Sequence, residues 1–214
     1  PHQALRQMVP SMPHWFGTDD LGRDVFARVV YGARISLMVG LISVGIALVI
    51  GSLVGVTAGY FGGKLGEFLM RGIDILLAFP SILLAILIVA ILGPGLINAM
   101  IAIGIVNVPI YARLLRSTTL QLRSQEFIEA AHSVGAGDWY IIFKHILPNC
   151  LSPLIVQVTL GIGAAILETA GLSFLGLGAQ PPTPEWGTML AQAKDFIRTA
   201  PWTLMFPGLA ITLV

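Results

Sequence analysis

The chain has 214 residues, 56% hydrophobic and only 11% charged, with a mean hydropathy of +0.86. A typical soluble domain is roughly 25% charged, so this composition excludes a free soluble globule, and its apolarity excludes intrinsic disorder. Twelve basic and eleven acidic residues leave a net charge of +1, without the basic excess a nucleic-acid binder needs, and a single cysteine, Cys150, excludes an intrachain disulfide framework.

The chain starts at Pro1 and stops at Val214 inside an apolar run, and is expected to be a piece of a longer membrane protein. Segment 1–34 carries Arg6, Arg23, Arg28 and Arg34 together with Asp19, Asp20 and Asp24, and precedes the first apolar stretch. A helix needs about 20 apolar residues to cross roughly 30 Å of hydrocarbon. Residues 35–63 contain no Asp, Glu, Lys or Arg, and neither do the 38 residues from Ile75 to Ala112. Gly93-Pro94-Gly95 divides that second run into two. Another charge-free run covers 145–167, and a last one opens near Trp202.

The expectation is an all-α, polytopic transmembrane bundle with four full spans and a partial one, at about 36–59, 75–93, 96–115, 151–172 and 202–214. The ten-residue alternating segments of a membrane β-barrel are not visible. Gly51, Gly55 and Gly59 recur every fourth residue on one helical face, which predicts close approach of a neighbouring backbone. Pro80 and Pro109 fall inside expected spans and are expected to kink them.

No catalytic set is present. Gly62-Gly63-Lys64-Leu65 lacks the hydroxyl residue that follows lysine in a P-loop, so ATP binding by that motif is excluded. His2, His14, His132 and His145 show no metal-ligand spacing, and no metal or catalytic residue is expected. One ionisable residue, Glu168, lies clearly within an expected span. At mid-bilayer such a group costs on the order of 2.5–3.5 kcal/mol, so it faces protein or water. It lines a translocation path, makes a helix–helix hydrogen bond, or sits near the outer interface where the cost falls. Asn98, Asn107, Gln157 and Thr159 are weaker candidates for the same path.

One long polar insertion, about 113–150, does not cross the membrane. Phe127, Ala130, Ala131 and Val134 follow i, i+3, i+4, i+7 spacing and share a helical face. Gly135-Ala136-Gly137 breaks that helix; Asp138 is expected to cap a second one, which Pro148 ends. The face with two adjacent alanines suits a short helix seated in a partner's cleft, or an interfacial helix covering its own bundle.

Here the sequence resembles a known family. Glu129-Ala130-Ala131, Gly135 and Leu147-Pro148 match the EAA loop of type I ABC importer permeases, with His145 where the general pattern has an apolar residue. Residues 17–24 (GTDDLGRD), 58–63 (AGYFGG) and 172–187 (LSFLGLGAQPPTPEWG) look like the C-type permease subunit of dipeptide, oligopeptide and nickel importers. The likeness covers nearly all of the chain from about Trp15.

The resemblance implies a permease domain over 35–214 in a bacterial or archaeal cytoplasmic membrane, with a first helix before it and the end of a sixth after it. It implies a second permease chain, two ATPase subunits that bind ATP and magnesium, and an external solute-binding protein. Residues 129–135 would form the helix that couples the spans to an ATPase, with the 113–150 loop cytoplasmic and segments 1–34 and 173–201 external. Lys and Arg counts, six on each side, do not decide this topology. The expected cargo is di- or oligopeptides; nickel chelates, glutathione or another small solute stay open, as does a channel or scaffold needing no ATPase.

Overall fold

The computed structural model describes residues 6–214; the first five residues of segment 1–34, His2 among them, lie outside the described residues. The described residues fold as helices: α1 (Val25–Phe61), α2 (Gly63–Leu77), α3 (Ser81–Leu92), α4 (Leu96–Arg123), α5 (Glu126–Ser133), α6 (Asp138–Ile141), α7 (Leu147–Phe174), α8 (Trp186–Ala193) and α9 (Trp202–Thr212). Three are long and apolar enough to cross a membrane: α1 with 37 residues, α4 with 28, and the 37-residue stretch Asp138–Phe174.

Helix α1 starts eleven residues before the expected span because Asp24 caps it. Asp24 Oδ1 accepts the Ala27 N–H at 2.8 Å, one of the donors a helix start leaves unpaired. The expected span 75–93 is not one straight helix. The break at 78–80, ending at Pro80, bends α2 from α3 by 90°. Helix α2 is amphipathic: Gly66, Met70 and Ile73 are buried, while Lys64, Glu67, Arg71 and Asp74 are exposed. Asp74 pairs with Arg113 of α4 at 2.7 Å. The expected break at Gly93-Pro94-Gly95 falls between α3 and α4, where Asn98 Nδ2 donates to the carbonyls of Leu92 and Gly93, both at 3.0 Å.

Two expectations about the polar insertion are corrected. Pro148 does not end a helix: α6 runs through a π-turn at Ile142–Ile146 into α7. Proline lacks an N–H and its ring excludes the carbonyl four residues back, and a wider turn just before it removes that conflict. Asp138 does not cap α6 with its side chain. Gly137 holds the cap position, and the Asp138 carboxylate instead accepts the Tyr60 hydroxyl at 2.9 Å.

The chain divides into two compact units. The first comprises Pro1–Ile42, Ala85–Ile103 and Ile162–Val214, and the second comprises Ser43–Leu84 and Gly104–Gly161. Within the first, Val25, Ile166, Trp186 and Met189 form a buried cluster joined by Phe16, Val29, Trp202 and Phe206. The Phe16 and Phe206 rings stack with centroids 3.8 Å apart. Within the second, Ala58, Met70, Ile73, Val108 and Ala112 form the core. Here the glycine stripe packs α1 against α4. A Cβ on Gly51 would lie 2.6 Å from Tyr111 Cβ, one on Gly59 would lie 2.8 Å from Thr119 Cβ, and one on Gly55 would collide with the Ala112 carbonyl. Large apolar side chains such as Leu53, Ile91, Ile155 and Leu160 remain exposed, as expected of a chain whose solvent is lipid.

Candidate functional site

The second unit holds the whole polar insertion. Helix α5 has Glu126 and Glu129 in its first turn, where the helix dipole favours negative charge. Its C-terminal stop explains the spacing of Glu129-Ala130-Ala131 and Gly135. Ala136 N–H donates to the Ala131 carbonyl at 3.0 Å and Gly135 N–H to the His132 carbonyl at 2.9 Å. This pair of bonds needs a left-handed residue at Gly135, whose φ is +84°. A Cβ at Gly135 would touch nothing within 4 Å, so conformation rather than space calls for glycine there.

Ile128 alone among α5 residues is buried, at 1% exposure. Glu129 and Ala130 are exposed, Ala131 is half-buried, and Phe127 and Val134 are exposed, the latter at 85%. The alanine-bearing face named in the sequence is therefore uncovered, and the anchor is the neighbouring isoleucine, which the spacing did not single out. The His145 ring lies between Phe127 and Tyr140, with centroids at 6.2 and 5.7 Å. Leu147 lines an apolar groove of about 350 Å³ with Leu53, Val56, Trp139 and Phe143, while Pro148 is exposed. Tyr60, in the sequence-singled segment 58–63, joins this loop. Tyr60 is buried at 4%; its hydroxyl bonds Asp138 and lies 3.5 Å from His132 Nε2.

The candidate path residues are divided between the units. Asn98 and Glu168 belong to the first, Asn107 and Gln157 to the second. Glu168 on α7 and Asn107 on α4 are half-buried. Gln157 is half-buried on α7, and its main-chain carbonyl accepts the Tyr111 hydroxyl at 3.4 Å. Thr159 Oγ1 donates to the Ile155 carbonyl at 2.9 Å, and Asn98 holds the α3–α4 turn as described. Among the described residues, no group of three or more His, Cys, Asp or Glu is placed to hold a metal ion.

The other two sequence-singled segments build the first unit. Asp19 accepts the Leu21 and Arg23 N–H groups at 2.9 Å and Arg23 Nε at 2.6 Å, and Trp202 Nε1 donates to the Thr18 carbonyl at 3.1 Å. In 172–187, Glu185 is 1% exposed and caps α8. Its oxygens accept Gly187 N–H at 2.9 Å and Thr188 N–H at 2.8 Å. These motif residues hold the fold through donors that sequence spacing does not display.

The long apolar helices and the lipid-like exposed side chains define an integral-membrane helical protein. The sequence profile of the binding-protein-dependent transport system inner membrane component matches residues 51–214, and the chain belongs to that family. It is 61% identical over 205 residues to the dipeptide transport system permease protein DppC of Alkalihalophilus pseudofirmus, covering 96% of this chain and 67% of that relative. It is 49% identical to the di/tripeptide transport system permease protein DppC of Pseudomonas aeruginosa, covering 100% of this chain and 73% of the relative. It is 50% identical to the glutathione transport system permease protein GsiD of Pectobacterium atrosepticum, covering 95% and 68%. An inward-facing structure of the MetNI methionine ABC transporter shares the fold, with TM-score 0.72, 23% identity, and 87% and 89% of the two chains covered.

Proposed function

We propose that this chain is one of two permease subunits of an ATP-driven peptide importer in a bacterial or archaeal cytoplasmic membrane, carrying no catalytic chemistry of its own. Two ATPase subunits bind ATP and magnesium, a second permease completes the pore, and an external binding protein delivers the peptide. The dipeptide and di/tripeptide permease relatives support the cargo. The observation that carries the reading is α5. Its alanine-bearing face, with Phe127, Ala130 and Val134 exposed and Ala131 half-buried, is largely uncovered while Ile128 on the neighbouring face is buried, the arrangement a helix needs to seat in a partner's groove.

On this reading the 113–150 loop is cytoplasmic, and segments 1–34 and 173–201 are external. The spans are α1, the bent α2–α3 pair, α4 and α7, with α9 as the partial one. Glu129, Ala130, Ala131 and Gly135 form the docking helix, and Leu147 and Pro148 join it to α7. ATP then shifts the transporter between inward- and outward-open states through the differential contacts of α5 with the ATPases. Glu168, Asn107, Gln157 and Asn98 are candidate contacts for the passing peptide. The assembled complex should co-purify with two ATPases and a second permease, and Glu129→Lys should abolish uptake while ATP hydrolysis continues uncoupled. Wild-type uptake in that variant overturns the assignment.

The glutathione permease relatives support a second reading for the cargo. Glutathione is itself a tripeptide-like solute, so competition of radiolabelled glutathione against dialanine for uptake by the full transporter separates the two.

A further inference from the structure

We infer that Tyr60 is a positioning residue that ties the C-terminal end of α1 to both sides of the turn following α5, so that movement of α5 is passed to α1 as well as to α7. The inference rests on the reading of α5 as the ATPase-docking helix. Its own ground is separate. Tyr60 is the penultimate residue of α1 and is buried at 4%. Its hydroxyl donates to Asp138 Oδ1 at 2.9 Å and approaches His132 Nε2 to 3.5 Å. His132 stands in the last turn of α5, and Asp138 is the first residue of α6.

Between those two anchors runs Ser133-Val134-Gly135-Ala136-Gly137, whose backbone is bonded back to α5 through Gly135 and Ala136 but makes no such bond forward to Asp138. A phenol bridging the two ends of this turn adds a direct link from α5 to α6, and the bond to a carboxylate is of the stronger, charge-assisted kind. The other end of the tie is firm, because Gly51, Gly55 and Gly59 bring α1 into backbone contact with α4. Rings extend the attachment: Phe61 meets Tyr60 edge-on at 5.1 Å and Trp139 at 6.4 Å. Tyr60 touches no cargo and no nucleotide, and acts only through the loop.

The test uses the assembled transporter reconstituted in vesicles, with dialanine transported per ATP hydrolysed as readout. Tyr60→Phe keeps the ring and removes the donor, and Asp138→Ala removes the acceptor. Each should lower that ratio about tenfold or more, the size expected for losing one hydrogen bond to a charged group. The double variant should be no worse than either single one, because both remove the same bond. Asp138→Asn keeps an acceptor oxygen but loses the charge, and should fall between wild type and Asp138→Ala. A wild-type ratio in Tyr60→Phe, or multiplicative losses in the double variant, overturns the inference. Val134→Asp, at the exposed residue just after α5, leaves the Tyr60 and Asp138 side chains in place and is measured in parallel. A defective Val134→Asp beside a normal Tyr60→Phe sinks the tie alone, whereas a normal Val134→Asp sinks the docking reading beneath it.

Discussion

The indole Nε1 of Trp186 donates to the main-chain carbonyl of Val29 at 2.9 Å, joining residues 157 positions apart. It fastens the first residue of α8 to α1 in the core that also holds Val25, Ile166 and Met189. Trp186→Phe keeps most of the apolar volume but leaves that carbonyl without this donor, and should lower stability by about 1 kcal/mol. Trp186→Ala should lose about 3–5 kcal/mol through the cavity it opens. Thermal unfolding of the purified complex in detergent reads both, and equal midpoints for the two variants would contradict the packing described.

Next to it, Glu185 sits almost fully buried with its oxygens on Gly187 N–H, Thr188 N–H and the Thr188 hydroxyl. Glu185→Ala should cost about 1–2 kcal/mol as a lost helix cap. Glu185→Gln, which keeps one acceptor, should fall between. Limited proteolysis of the 175–186 segment is the measurement; unchanged cleavage in the alanine variant would refute the capping role.

The α1–α4 contact gives a prediction with a built-in control. Gly55→Ala places a methyl against the Ala112 carbonyl and 3.0 Å from Leu115 Cβ, and should destabilise by about 1–3 kcal/mol. Gly45 lies on the same helix, and a Cβ there would meet nothing within 4 Å, so Gly45→Ala should be neutral or slightly stabilising. Comparable melting shifts for the two variants would refute the stripe.

Val134, 85% exposed after the last turn of α5, should tolerate a charge structurally. Val134→Asp should insert and fold as wild type, yet lose co-purification with ATPase subunits by roughly tenfold, the effect of about 1.4 kcal/mol at one contact. Retained co-purification at wild-type yield counts against docking through this face.

Glu168→Gln replaces the carboxyl group of a half-buried side chain on α7 with a neutral amide of the same shape. If this carboxylate meets a peptide's ammonium group, uptake should fall about tenfold, on the scale of one lost charged hydrogen bond. Uptake equal to wild type removes Glu168 from the path.

Much of the helical layout was legible because it depends on runs of one residue class. Absence of charge located α1, α4 and α7, and Gly93-Pro94-Gly95 separated α3 from α4. What failed were readings that needed a distant partner or the geometry of a single turn. Asp138 beside a glycine reads as a cap, but Tyr60, 78 positions earlier, takes its carboxylate. Pro148 reads as a stop, and only the π-turn before it keeps the helix going. Charge counting began the second span at Ile75, because composition carries no information on the 90° change of direction at 78–80. In the candidate site, alanine spacing identified the uncovered face of α5, while the anchor Ile128 and the clamp at Tyr60 depend on tertiary contacts.

The extra residue accommodated by the π-turn at Ile142–Ile146 also sets an azimuth. Each residue of an α-helix turns the chain by about 100°, so tightening that bulge into regular α-helix with no residue removed would swing Gln157, Glu168 and every other side chain beyond it round the axis of α7 by about that angle, whereas deleting one position along with the bulge would leave them facing as they do. The compass bearing of the membrane-embedded half of this helix is thus written in five residues that lie before it.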